Sequence, residues 1–300
     1  MDDALVGSEY ASQLSDADLA LLASVAGPAA GSGRAGGGSG PADASSLRAD
    51  PVALLRLLEH PGLFRAVFGP AQADRRWPVP ASPFLVFAVL VQRGTAELAS
   101  VDHVPERTGP RQQVPLFDAP ALREFLGAPA RRLFLAELLA SFTRVASGRY
   151  RVAVDGRTRT RRFSELDPVR LAGLLDAVPD AERPGIYRRL GDVTLFLTGV
   201  FPGYATARAL GPVGAVRLLR AAGLPAAEQD RLAGPPGIEL WEYLGTRWYR
   251  AARDLAPVST ARVRVVGDVA DRFRQARRVL NHLADRYLLA PGNPWFVQPA

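Results

Sequence analysis

The chain has 300 residues, 48% of them hydrophobic and 22% charged, with a formal net charge of +7, which is the balance of an ordinary globular protein. It has no cysteine, which excludes disulfides, zinc–thiolate sites, iron–sulfur clusters and thiol nucleophiles. It has no lysine either: all 37 basic residues are arginine, so a Schiff-base lysine, a lysine general base and a P-loop lysine are excluded as well.

The start, Met1-Asp2-Asp3, lacks the basic-then-apolar pattern of a secretory leader. The longest apolar runs, Phe84–Val91 and Val193–Phe201, fall far short of the ~20 residues that a bilayer crossing takes. A cytoplasmic protein with no membrane span is expected. Residues 1–26 read as a tethered segment with one short helix over Ser15–Ala26, capped by Ser15 and carrying Leu19, Leu22 and Val25 on one side. Residues 27–46, GPAAGSGRAGGGSGPADASS, read as a flexible linker with nothing to bury. The helix docks on the body, docks on a partner or stays disordered.

The body is expected over residues 47–300 as a mainly α, multi-helix domain with one small β-hairpin. Asp50-Pro51, Ser82-Pro83 and Asp167-Pro168 each place a capping residue before a proline at the first helical position. The stretch Val104–Phe117 reads as a proline-punctuated loop, and Asp118 as the start of the next helix. Pro129–Ser147 reads as an amphipathic helix with Leu133, Phe134, Leu138 and Phe142 inside. A further helical segment runs from Asp180 to Phe201. Ala205–Ala222 is helical with a break at Gly211-Pro212, and Gly234–Gly237 is a hard stop. Two long helices follow, Ile238–Ala256 and Ser259–Leu289. Trp241 and Trp248 are seven apart and share a helix face, which suits core packing.

The β signal lies near 150–163. Tyr150, Val152 and Val154 alternate with Arg151 and Ala153, and Asp155-Gly156 then separates them from Arg-Thr-Arg-Thr-Arg-Arg-Phe. A two-residue turn pairs Val154 with Arg157, Val152 with Arg159 and Tyr150 with Arg161. Arg149, Arg151, Arg157, Arg159, Arg161 and Arg162 carry six positive charges against Asp155 alone, so this hairpin accounts for most of the chain's +7. These six are the candidate partner- or phosphate-binding residues. A helix followed by such a ribbon has the chain order of a recognition helix and its wing in winged helix-turn-helix proteins. The alternative is a solvated hairpin whose arginines pair with acids or with a protein partner.

Catalytic motifs are absent. The three histidines, His60, His103 and His282, have no metal-ligand spacing, and no dinucleotide fingerprint, P-loop or nucleophile elbow occurs. No catalytic residue, metal or cofactor is assigned. Arg188, Arg189 and Asp192, leading into the apolar run to Phe201, are a possible pocket between helices.

The strings PVPASPFLVFAVLVQR, FDAPALREFL, PARRLFLAELLASFTRVASG, RRFSELDPVRLAGLLDAVP and YRRLGDVTLFLTGVFP together resemble a group of helical proteins from GC-rich actinobacteria. The resemblance spans about residues 47–300. It implies an all-helical body with a small hairpin, and it brings no activity, cofactor or site residue. Three functional expectations stand. The first is a non-enzymatic helical adaptor or regulatory protein with a macromolecular, most naturally protein, partner. The second is a nucleic-acid-binding protein that uses the arginine hairpin. The third is an enzyme or small-ligand binder with a pocket between helices.

Overall fold

A computed structural model gives the fold; it describes residues 3–25, 44–68, 81–109, 112–154, 157–207, 211–232 and 237–289. Packing divides the chain into two compact units, residues 1–100 with 126–140, and residues 101–125 with 141–300.

The first unit is helical. It holds α1 (Asp3–Ala11), α2 (Asp16–Val25), α3 (Ala44–Ala49), α4 (Pro51–Leu58), α5 (Pro61–Phe68) and α6 (Pro83–Leu98), with residues 129–140. The Asp-Pro and Ser-Pro starts work as the sequence predicts. Asp50 accepts the backbone N–H of Val52 and of Ala53, and Ser82 accepts that of Leu85 at 3.2 Å. Ser15 and Asp18 form a reciprocal capping box at the head of α2. Leu19 and Leu22 of that helix are fully buried, and Tyr10 of α1 stacks on Phe84 at 6.1 Å. The N-terminal helices therefore belong to this core. Residues 26–43 of the expected linker lie outside the described residues, and 44–46 open α3.

The second unit begins with strands β1 (Val104–Gly109) and β2 (Gln112–Leu116), where the sequence suggested a loop. They pair antiparallel with Pro105 opposite Pro115. A two-stranded ribbon has only edge strands, so a proline can leave its missing donor facing outward. α7 (Ala119–Gly127) follows and belongs to this unit as far as Phe125, whereas the next helix, α8 (Pro129–Ser141), belongs to the first unit through Ala140. α8 stops six residues before the expected end at Ser147, and it is buried nearly all round rather than amphipathic, including Arg131 and Arg132. Arg132 is held by Glu59 at 2.5 Å and by the Leu126 carbonyl at 2.7 Å.

The rest of the second unit is β3 (Ser147–Val154), β4 (Arg157–Ser164), α9 (Pro168–Ala172), α10 (Arg183–Val200), α11 (Pro202–Ala207), α12 (Pro212–Ala221), α13 (Ala226–Leu232), α14 (Ile238–Asp254), α15 (Ala261–Asp271) and α16 (Phe273–Leu283). The mainly α fold with the expected hairpin is thus what the chain adopts, with a second hairpin added. The break at 234–236 lies outside the described residues. The expected helix Ser259–Leu289 is divided at Arg272, which carries neither proline nor glycine.

α10 and α14 form the centre. A Cβ on Gly191 would lie 2.4 Å from the Tyr249 ring, and one on Gly245 would lie 2.2 Å from Phe273. Such close approach is possible only without side chains at those positions. Trp241, Trp248 and Tyr249 are fully buried, and the Trp241 indole donates to the Ala205 carbonyl at 3.0 Å. Beside them lies a buried ion network. Arg277, whose side chain is 3% exposed, donates to Glu106 of β1 and, at 2.8 Å, to Glu242 of α14. Glu242 also holds Arg274 at 2.9 Å, while Arg278 bridges Glu106 and Asp118.

Candidate functional site

The β3–β4 register is the one an Asp155-Gly156 turn dictates: Arg149 opposite Arg162, Tyr150 opposite Arg161, Val152 opposite Arg159 and Val154 opposite Arg157. Residues 155–156 and the Arg157 side chain lie outside the described residues. Directly paired residues share a face. Tyr150, Arg159 and Arg161 therefore lie on one face, and Arg149, Arg151 and Arg162 on the other. Arg149, Arg151, Arg159, Arg161 and Arg162 are all exposed, and among the described residues none has a carboxylate partner. Arg149 and Arg162 stand directly opposite each other as a repulsive like-charge pair.

The Tyr150 face meets elements from further along the chain. Asp167 caps α9 by accepting the Arg170 N–H at 3.1 Å. A 3-10 turn over Gly173–Asp176 follows, and a Cβ on Gly173 would lie 2.9 Å from the Tyr150 hydroxyl. α12 ends in a Schellman motif. Gly223 has φ +71°, its N–H donates to the Arg220 carbonyl at 2.9 Å, and the Leu224 N–H reaches the Leu219 carbonyl at 3.3 Å. Just before this cap, Arg217 and Arg220 are three residues apart and share one face of the helix.

These parts enclose a cleft of about 870 Å³ in which Tyr150, Arg161 and Arg162 of the hairpin join Tyr187, Arg217 and Arg220. Arg170 and Arg183 also border it, but Asp167 (3.0 Å) and Asp180 (2.9 Å) neutralise them. Asp176 is the one acid in the lining. Arg161, Arg162, Arg217 and Arg220 have no carboxylate partner among the described residues. Planar guanidinium forks match phosphate oxygens, and tyrosine rings offer faces on which a flat group can stack. The lining pairs no nucleophile with a base.

Of these residues, the sequence pointed to Arg161 and Arg162 and missed Arg217, Arg220 and Tyr187. The one local signal for the former pair was their three-residue spacing before Gly223. The fold alone brings them near the hairpin, 55 to 59 residues away in the chain. The helix that precedes the hairpin does not share its compact unit, as a recognition helix and its wing would.

Arg188, Arg189 and Asp192 have their charges met inside the second unit. Asp192 accepts from Arg188 Nε and from the Tyr249 hydroxyl, both at 2.9 Å. Arg189 reaches Ser141 Oγ at 2.7 Å and Glu165 at 3.1 Å, and its guanidinium lies 4.0 Å above the Phe142 ring. Burial and the neighbouring Asp192 carboxylate push the Tyr249 hydroxyl well above its ordinary pKa of 10.0. None of the three lines the arginine cleft.

Among the described residues, no helix is long and apolar enough to cross a membrane, and no group of three or more His, Asp or Glu residues is placed to hold a metal. No family model matches the chain. No curated protein matches it, and no solved structure does either.

Proposed function

We propose that this is a non-enzymatic binding protein whose macromolecular partner is a nucleic acid, gripped through its phosphates by the β3–β4 hairpin and the cleft at its base. One observation carries the reading. Arg161, on the Tyr150 face, borders a single concavity with Arg217 and Arg220, Arg162 adds its charge at the edge of that concavity from the opposite face of the hairpin, and none of the four has a carboxylate partner among the described residues. Arg170 and Arg183, which border the same cleft, are each paired with an acid. Four arginines without an acid, gathered at one place, raise the local potential and favour a polyanion. A cytoplasmic location goes with this reading.

The test is fluorescence anisotropy of labelled DNA and RNA from low to physiological salt. The wild-type chain is compared with a variant carrying Arg161→Ser, Arg162→Ser, Arg217→Ser and Arg220→Ser. Affinity is expected to fall linearly in log–log form with salt, with the slope flattening by about 3 in the variant, since each phosphate contributes roughly 0.7 to 0.9. Binding that is absent at low salt overturns the reading, and so does binding that the variant retains. Capture of an acidic protein in place of nucleic acid would favour an adaptor instead.

A further inference from the structure

Resting on the nucleic-acid reading, we infer that the cleft takes a single strand rather than a duplex, with bases stacked on Tyr150 and Tyr187.

Shape is the first argument. The cleft holds about 870 Å³, which falls in the ~300–1,000 Å³ range of small-ligand pockets. The major groove of a duplex is by itself about 12 Å wide, so a double helix does not enter. The duplex readers reach bases by projecting a helix or ribbon into a groove. Here the arginines line a concavity, and the nucleic acid must come in to them.

Chemistry is the second. Both tyrosines line the same space as the four arginines, both are half-buried, and among the described residues neither hydroxyl has a hydrogen-bond partner. An aromatic ring beside guanidinium groups is the composition of a single-strand platform, because every base has a π-face while its phosphate needs a cation. In a duplex those faces are stacked on one another and out of reach.

Continuity is the third. Arg159 precedes Arg161 by two residues in the same strand and lies on the same face as Tyr150, so their stems are about 6.6–6.8 Å apart. An extended sugar-phosphate chain can match that step. Phosphates leaving the cleft therefore meet a further arginine, which a free mononucleotide would not use.

The experiment measures the full-length protein against a labelled homopolymeric oligonucleotide, the same oligonucleotide annealed to its complement, and a mononucleotide as competitor, all at one salt concentration. Tyr150→Leu and Tyr187→Leu are compared with Tyr150→Phe and Tyr187→Phe, and circular dichroism checks that each variant is folded. The single strand is expected to bind at least ten-fold more tightly than the duplex. Each Leu variant should lose roughly ten- to hundred-fold, the scale of one base stacked on one ring, while the Phe variants keep their affinity. Equal or tighter duplex binding overturns the inference, as does a pair of Leu variants that bind like wild type. In either case the Arg→Ser variant still reports on the underlying reading. Loss of binding there, with unchanged tyrosine variants, keeps the nucleic acid and discards the single strand. No binding of any oligonucleotide discards both.

Discussion

Asp192 and Tyr249, one on α10 and the other on α14, are joined by a 2.9 Å hydrogen bond in which the phenol donates to a carboxylate that Arg188 also holds. Gly191, next to Asp192, leaves room for the ring. The buried phenol keeps its proton far longer than a tyrosine in the unfolded chain. Its folded pKa is raised above 10.0, chiefly by burial and next by Asp192. The stability tied to this proton is therefore whole below pH 10 and is lost as pH rises above it. Chemical denaturation between pH 8 and 11.5 should show a falling stability, and Tyr249→Phe should flatten that fall. The same variant should cost about 1.5–3 kcal/mol at neutral pH, where it removes a hydrogen bond to a charged group. An unchanged alkaline limb would contradict this account.

Replacing Arg277 is expected to be severe. Glu106 and Glu242 are both buried and both face its guanidinium. Arg277→Leu leaves two carboxylates short of their cation inside the protein, which costs about 3–5 kcal/mol. Urea unfolding should show this loss, and adding Glu106→Gln and Glu242→Gln to the variant should recover part of it. A triple variant no better than the single one would mean that packing, not charge, sets the cost.

Gly245→Ala separates two opposed effects. Helix propensity favours alanine by about 1 kcal/mol. The added methyl would meet Phe273 at 2.2 Å and Thr194 at 3.0 Å, and overpacking of this kind costs about 1–3 kcal/mol or more. A net loss of stability is expected in thermal unfolding. Gly185, with nothing within 4 Å of its virtual Cβ, is the control, and Gly185→Ala should be neutral or stabilising.

In the first unit, Asp18 is fully buried and serves two helices. One carboxylate oxygen accepts the Ser15 N–H at 2.8 Å, and the other accepts the Ser82 N–H at 2.6 Å. Asp18→Ala should cost about 2 kcal/mol, roughly one cap plus one orphaned donor. It should also raise hydrogen exchange at Ser82. Equal protection of that amide in both proteins would show that the bond contributes nothing.

Local chemistry was the legible part of this sequence. Asp50, Ser82 and Asp167 each announce a helix because a cap needs only three or four residues. The β3–β4 register followed from counting outward from Asp155-Gly156. The β1–β2 ribbon was hidden by Pro105 and Pro115, which argue against a strand unless both strands are edges. The break at Arg272 was hidden too, because what sets it is tertiary: Phe273 turns in to pack over Gly245. The same limit divided the candidate site. Arg161 and Arg162 stood out as a charge run, whereas Arg217 and Arg220 belong to it only because α12 packs against α9, which in turn packs on β4.

The Arg277 network also sets an order of assembly. Glu106 is made early in the second unit and Glu242 much later, yet the cation both require arrives only with α16. During synthesis these carboxylates have no reason to leave water until that helix is available, so burial of Glu106 and Glu242 waits for it. A nascent or truncated chain that ends before Arg277 should remain open and exposed to proteases over the whole of the second unit, whereas the first unit, whose segments end at residue 140, can close ahead of it.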